Sequence, residues 1–260
     1  MTSLRALLFD VDGTLVDTEE LHRSAFNDAF RQLSLGWDWG RGLYAELLAV
    51  SGGAERIAAY IDRLHAPAAE KTRLRRLVPL IHREKTRLYG ELLRSGSARL
   101  RQGCARLIEE ARSAGLQVGL AATSASASAQ ALVGAVLGAA ERTLISTIVC
   151  ADQVPRKKPA PDLYELLLAT LRVPVEGCVA FEDSANGLAA AKAAGLTTVV
   201  TPSRWTLAQD FSGADLLLPT LEPDRPLDPA IAARIGGAPY LGLAQLEGLR
   251  ASAMLREVGA

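Results

Sequence analysis

Two aspartates one residue apart close the first apolar segment of "LLFDVDGTLVDTEELH": Asp10 and Asp12, followed by Gly13 and Thr14. On an extended chain a two-residue step puts both side chains on one side, and Gly13 permits the sharp departure that would expose them. A carboxylate is ionised at neutral pH and can attack phosphorus, splitting one slow hydrolysis into two faster steps. The second carboxyl can give a proton to the leaving oxygen and later take one from water. Taken alone, D-x-D-G serves equally well as a pair of loop aspartates capping the next helix.

Three other short clusters bear on the same chemistry. Thr123 and Ser124 in "GLAATSAS" offer hydroxyls and the amides of a helix start to phosphate oxygens, although by themselves they read as a helix cap. Lys158 in "RKKPAPD" precedes a proline-fixed turn, which would make it a placed point charge rather than one more solvated lysine. Glu182 and Asp183 in "VAFEDSANG" would add carboxylates to one small volume if they stand beside Asp10. Such crowding is unfavourable without a cation or protons. Mg²⁺ prefers hard oxygen ligands and commonly bridges carboxylates to a substrate phosphate. Four carboxylates set against Mg²⁺ and Lys158 leave one negative charge, so a protonated Asp12 is expected in the resting site.

The elements that must position these groups are legible as apolar runs. Runs at 4–9, 117–122, 144–150, 177–181 and 197–200 mostly lack strict alternation, as strands covered on both faces do, and "ADLLLPTL" is a weaker sixth. Helical patterns at 105–114, 127–137, 162–171 and 186–194 lie between them. Strand–helix alternation predicts an α/β fold, a doubly wound, Rossmann-like parallel sheet. All four clusters then fall just after strands, where such sheets bind ligands.

The first interval breaks the rhythm. A βαβ unit takes about 30 residues, yet residues 10–116 separate the first two runs here. Inside that gap, Leu21/Ala25/Ala29/Leu33, Ile57/Tyr60/Ile61/Leu64 and Ile81/Leu88/Leu92 follow helical spacing, punctuated by Gly52-Gly53, Pro67 and Pro79. The expected organisation is a core of residues 1–17 and 96–221, an all-α cap of 18–95 inserted after the first strand, and a C-terminal extension of 222–260. The extension reads as a loop with one closing helix.

Bulk composition narrows the partners. Lys+Arg and Asp+Glu number 29 each, so no net field favours nucleic acid. Asp10 and Asp12 interrupt the N-terminal apolar stretch, and no run approaches the roughly 20 apolar residues of a membrane span. A cytoplasmic monomer that contacts neither membrane nor nucleic acid is expected. Cys104, Cys150 and Cys178, widely spaced and without a CxxC, predict buried thiols.

The ordered set D-x-D-G-T, Thr/Ser, Lys-Pro and Glu-Asp resembles the haloacid dehalogenase superfamily over about residues 4–218. The resemblance implies Asp10 as nucleophile and Asp12 as acid/base, with Thr123 and Lys158 on the transferring phosphoryl group. It also implies Mg²⁺ on Asp10, the Asp12 carbonyl and Asp183, with Glu182 near the metal. Within the superfamily, "DTEELHRSAFNDAF", "YAELLAVSGGAERIAAYI", "IHREKTRLY", "KKPAPDLY" and "FEDSANGLAAAKAAGL" are similar to the CbbY-type phosphatases, which remove the C1 phosphate from xylulose-1,5-bisphosphate.

Carried over by position, Glu19 and His22 would face the sugar, and Ser124 is a further substrate-binding candidate. Arg56 and Lys85 would meet the distal phosphate, helped by His82, with Gly52 and Gly53 allowing close approach and Glu55 orienting Arg56. Ala54, Arg101-Gln102-Gly103 and the alanines and serines after Thr123 depart from the usual pattern. The expected activity is Mg²⁺-dependent hydrolysis of a small phosphorylated sugar. A β-phosphoglucomutase and a phosphoglycolate phosphatase are the alternatives among enzymes, and an idle phosphometabolite-binding protein is the alternative outside them.

Overall fold

A computed structural model describes residues 3–138 and 142–258; residues 1, 2, 139–141, 259 and 260 of the expected units lie outside the described residues. Six parallel strands form one sheet: β1 (Ala6–Asp10), β2 (Gln117–Ala122), β3 (Thr147–Cys150), β4 (Cys178–Glu182), β5 (Thr197–Val200) and β6 (Leu216–Leu217). Their order is β3-β2-β1-β4-β5-β6. The order reverses around β1, so its carboxyl end faces the crevice where doubly wound sheets bind ligands.

Register brings the four clusters to the same rim. Asp10 pairs with Ala121 of β2, and Phe9 with Phe181 of β4, so Thr123 and Glu182 stand just past Asp10 on either side. Alternate residues feed two apolar layers. Leu7, Phe9, Leu120 and Phe181 face one layer, and Leu8, Ala121 and Ala180 face the other. The rings of Phe9 and Phe181 stack at 4.5 Å. Helices α5 (Gln102–Ser113) and α6 (Ser126–Val136) cover the first layer, and α7 (Asp162–Leu171) and α8 (Ala185–Ala193) cover the second.

Between β1 and β2 come α1 (Glu19–Gln32), α2 (Arg41–Leu47), α3 (Gly53–Arg63) and α4 (Ala68–Arg94). They enclose their own apolar cluster, including Phe26, Phe30, Trp39, Tyr44, Ile57 and Ile61. The segments entering and leaving this insertion touch through an antiparallel bridge between Val16 and Leu100. Two expectations are corrected here. Pro67 does stand at the start of α4, but Pro79 lies inside that helix and does not interrupt it. An interior proline costs about 3 kcal/mol, and burying Leu74 and Ile81 on either side of it offsets that at about 1.5–3 kcal/mol each. Among the described residues the tail, expected to hold one helix, holds two: α9 (Pro229–Arg234), capped by the Asp228 carboxylate, and α10 (Leu243–Val258). The three cysteines are free and buried, and no helix among the described residues is long and apolar enough to cross a membrane.

Candidate active site

At the rim, β1 ends in Asp10 and β4 ends in Glu182, and the loop after β3 carries Lys158 between them. Lys158 Nζ donates to Asp10 Oδ1 at 2.6 Å, to Glu182 Oε1 at 2.6 Å and to the Ala121 carbonyl at 3.2 Å, so all three ammonium protons are placed. Tyr164 Oη donates to the same Glu182 oxygen at 2.5 Å. Asp10, Glu182 and Asp183 each offer a carboxylate oxygen within 4.8 Å of the others, and all three residues are buried.

One lysine does not balance that charge. Keeping an ion out of water costs several kcal/mol, and the effect shows in proton affinity. Burial raises Asp10 to about 7, against the pull of Lys158 and with the push of Glu182. Burial, then the Asp10 and Glu182 charges, hold Asp183 well above the ordinary carboxylate range. Glu182 Oε2 is buried without a hydrogen-bond partner. At Gly13, where φ is +95°, a Cβ would collide with the Asp183 carboxylate. Three buried hard oxygen donors with surplus negative charge fit a divalent cation such as Mg²⁺.

Asp12 is set apart from this cluster. Its Oδ1 accepts from Thr18 Oγ1 at 2.6 Å and lies 3.1 Å from His22 Nε2. Thr18 stands at the N-cap of α1 but makes no capping bond, because its hydroxyl is directed to Asp12. Lys85 Nζ reaches His22 Nδ1 at 2.6 Å. An ammonium can only donate, which assigns the proton to His22 Nε2 and directs it at Asp12. Burial works to raise Asp12, but the electrostatic pull and bond of His22, the Thr18 bond and Lys85 outweigh it and bring it down to about 2. The resting Asp12 is therefore ionised, contrary to the protonated form expected from charge counting. Donors on its oxygen decide this where formal charge alone did not.

The remaining candidates gather at one opening. A cavity of about 440 Å³ is lined by Asp12, Glu19, His22, Gly52, Gly53, Arg56, Lys85, Thr123 and Ser124, and a smaller neighbour of about 60 Å³ by Asp10, Lys158 and Asp183. Asp12, Glu19, Arg56 and Thr123 border both. Glu182 lies behind them. Glu19 accepts from Tyr44 Oη at 2.6 Å.

Arg56 and Lys85 both line the large cavity, and each already has part of its donor set engaged. The Arg56 guanidinium directs one N–H of each nitrogen to the Leu47 carbonyl, Tyr44 Oη and the Val50 carbonyl, at 3.2–3.3 Å, which leaves the second N–H of each terminal nitrogen at the border of both cavities. Lys85 is buried between the Phe26 and Tyr89 rings and serves His22. Glu55 does not orient Arg56: it pairs with Lys157 of the core at 2.5 Å. At Gly52, φ +95°, and at Gly53 a Cβ would collide with the Glu55 carboxylate and the His82 ring respectively.

The match to known proteins can now be read against this geometry. A family model described as haloacid dehalogenase-like hydrolase matches residues 4–195. The chain belongs to the haloacid dehalogenase-like hydrolases. Protein CbbY of Cereibacter sphaeroides is 44% identical over 220 residues, covering 83% of this chain and 91% of CbbY. The crystal structure of CbbY from Rhodobacter sphaeroides with phosphate superposes at a TM-score of 0.76, with 44% identity, over 84% of this chain and 95% of that one. A mutant of that CbbY in complex with xylulose-(1,5)bisphosphate matches with the same figures.

Several residues of this hydrolase's site carried no signal in the sequence. Tyr44, Tyr89 and Tyr164 sit at ordinary helical core positions, and their hydroxyls or rings matter only through tertiary contact. Arg83 and Lys157 line the large cavity, and Arg83 makes no hydrogen bond or ion pair among the described residues. Arg101 donates to the Gly13 carbonyl at 2.7 Å, fixing the turn after Asp12. Its place in the departing "RQG" was the available hint.

Proposed function

We propose that this hydrolase is a phosphatase of the CbbY type that uses Mg²⁺ to remove a phosphate from a small sugar bisphosphate, xylulose-1,5-bisphosphate being the best-supported substrate. The observation that carries the reading is the convergence of Asp10, Asp12, Thr123, Lys158 and Asp183 on adjoining cavities at one sheet rim. The ligand in the matching CbbY mutant supports the choice of sugar.

Asp10 is the nucleophile. Its oxygen forms a bond to phosphorus as the sugar oxygen leaves, giving an aspartyl phosphate on Asp10. The phosphoryl group's negative charge falls beside Lys158 and the Thr123 hydroxyl. Asp12 handles the proton. Protonated on entry of the phosphate dianion, it gives its proton to the leaving sugar oxygen; as carboxylate it then takes one from the water that attacks phosphorus, while the phosphorus–Asp10 oxygen bond breaks to release phosphate and restore the Asp10 carboxylate. The His22 and Thr18 donors favour the carboxylate form, so they prepare the second step.

Asp10, Asp183 and the Asp12 carbonyl would hold Mg²⁺, with Glu182 near it; the ion would supply positive charge against which a phosphate and Asp10 can approach. The helices of 18–95 act as the cap, with Glu19 and His22 facing the sugar. The distal phosphate lies toward the cationic side chains that line the large cavity, Arg56, Lys85, Arg83 and Lys157, of which Arg83 makes no hydrogen bond or ion pair among the described residues.

Asp10→Asn is the test. The variant is expected to melt as a folded protein and to release no phosphate from xylulose-1,5-bisphosphate with Mg²⁺, whereas wild type releases one equivalent per sugar. Normal turnover in the variant would end the covalent reading. An isomerised sugar phosphate in place of free phosphate from wild type would mark a mutase.

A further inference from the structure

Lys158 serves two carboxylates at equal distance, 2.6 Å to Asp10 and 2.6 Å to Glu182. Nothing in those two bonds decides which of them holds the ammonium when Asp10 takes on a phosphoryl group and its charge is redistributed. Glu182 is the stronger competitor on burial alone, since it is fully buried and its second oxygen has no partner. An underserved carboxylate would draw the ammonium inward, away from Asp10.

Tyr164 answers that pull. Its hydroxyl donates at 2.5 Å to the Glu182 oxygen that Lys158 also reaches, and its ring centroid lies 5.1 Å from Lys158 Nζ. The side chain is wholly buried in the layer beneath the sheet, and its backbone amide is tied to the Pro161 carbonyl at 2.8 Å. Ring and hydroxyl therefore act on the Lys158–Glu182 pair from a fixed position, without reaching either cavity. We propose that Tyr164 is a positioning residue: by sharing the Glu182 carboxylate it keeps the Lys158 ammonium on Asp10 and on the phosphoryl group that Asp10 receives. This role rests on the phosphoryl-transfer reading of the site.

Full-length wild type, Tyr164→Phe and Tyr164→His are compared with Mg²⁺ for kcat, KM, inhibition by orthovanadate and melting temperature. Vanadate is the probe because it takes the five-coordinate shape and charge of a transferring phosphoryl group. Tyr164→Phe keeps the ring and removes the donor. It is expected to lower kcat about tenfold with KM within twofold, and to weaken vanadate inhibition by the same factor as kcat. Tyr164→His restores an N–H donor and is expected to recover part of the loss. If Tyr164→Phe melts at a lower temperature but keeps kcat and vanadate inhibition per folded molecule, Tyr164 is structural and the proposal is overturned. Should Tyr164→Phe fail to fold, wild-type vanadate inhibition in Tyr164→His together with a tenfold lower kcat would overturn it equally. Full turnover in Asp10→Asn would instead overturn the reading of the site, and this role with it.

Discussion

Lys85 carries a positive charge to a place where burial opposes it. Burial and the nearby Arg56 push its pKa down from 10.5 to about 8, against the pull of Asp12 and Glu19. The charge is used there: through His22 it holds a proton toward Asp12, and it adds positive potential to a cavity that must receive an anion. Raising the pH through about 8 discharges it. We expect kcat/KM to fall along an alkaline limb centred near that pH, and Lys85→Met to lack the limb while starting from a lower plateau. Superimposable limbs in pH–rate profiles of the two proteins would refute the assignment. Stability moves the other way. Between about 8 and 10.5 the folded form binds fewer protons than the unfolded chain at this residue, so unfolding free energy rises with pH across that window. The increment is on the order of 3 kcal/mol, and below pH 8 it is absent.

At the scale of elements, one loop joins the sheet to the helical insertion. After β5 the chain turns through Ser203, Arg204, Trp205 and Thr206. Trp205 enters the apolar cluster of the insertion, edge-on to Tyr44 at 5.4 Å, while Thr206 Oγ1 reaches the Asp183 carboxylate at 3.4 Å. Tyr44 in turn bonds Glu19 and Arg56. The helices over the cavity and the carboxylate beneath it are thus positioned by neighbouring residues of a single turn. Trp205→Ala is expected to lower unfolding free energy by about 3 kcal/mol in urea titrations. It is also expected to raise KM several-fold more than it lowers kcat, because the insertion loses its anchor while Asp10 and Lys158 keep theirs. A purely proportional loss of folded protein, with KM unchanged, would count against that coupling.

Trp205 also shows what the sequence could not convey. The strand runs were readable because both faces of this sheet are apolar, and Asp10, Thr123, Lys158 and Asp183 were readable because each follows such a run. The seven-residue α2 is too short to show a period, and the two-residue β6 is barely a run at all. The partners of Arg56 and Lys85 were illegible for a different reason: the carbonyls and rings around a cation are brought to it by folding.

For the whole molecule, the segment beyond the matched residues 4–195 bears on whether the core stands alone. Leu227, Ile235, Leu241, Leu246 and Leu249 belong to the same apolar cluster as Leu7 and Phe9 of β1. Polar ties reinforce the contact. The Leu4 amide donates to Glu247 at 2.8 Å, Arg250 donates to the Glu176 carbonyl at 2.8 Å, and Arg106 of α5 donates to the Leu241 carbonyl at 2.7 Å. Each of five buried aliphatic side chains is worth about 1.5–3 kcal/mol as an upper estimate. Their sum, roughly 8–15 kcal/mol, is comparable to the whole stability of a typical domain at about 5–15 kcal/mol. Truncation after Leu221 is therefore expected to yield insoluble protein or one without a cooperative melt, even though no residue proposed for phosphoryl transfer is removed. A truncated protein that melts within a few degrees of full length and retains turnover would show that the tail only rests on the core. The expected collapse would instead mean that the extension completes the layer on which β1, and with it Asp10, is held.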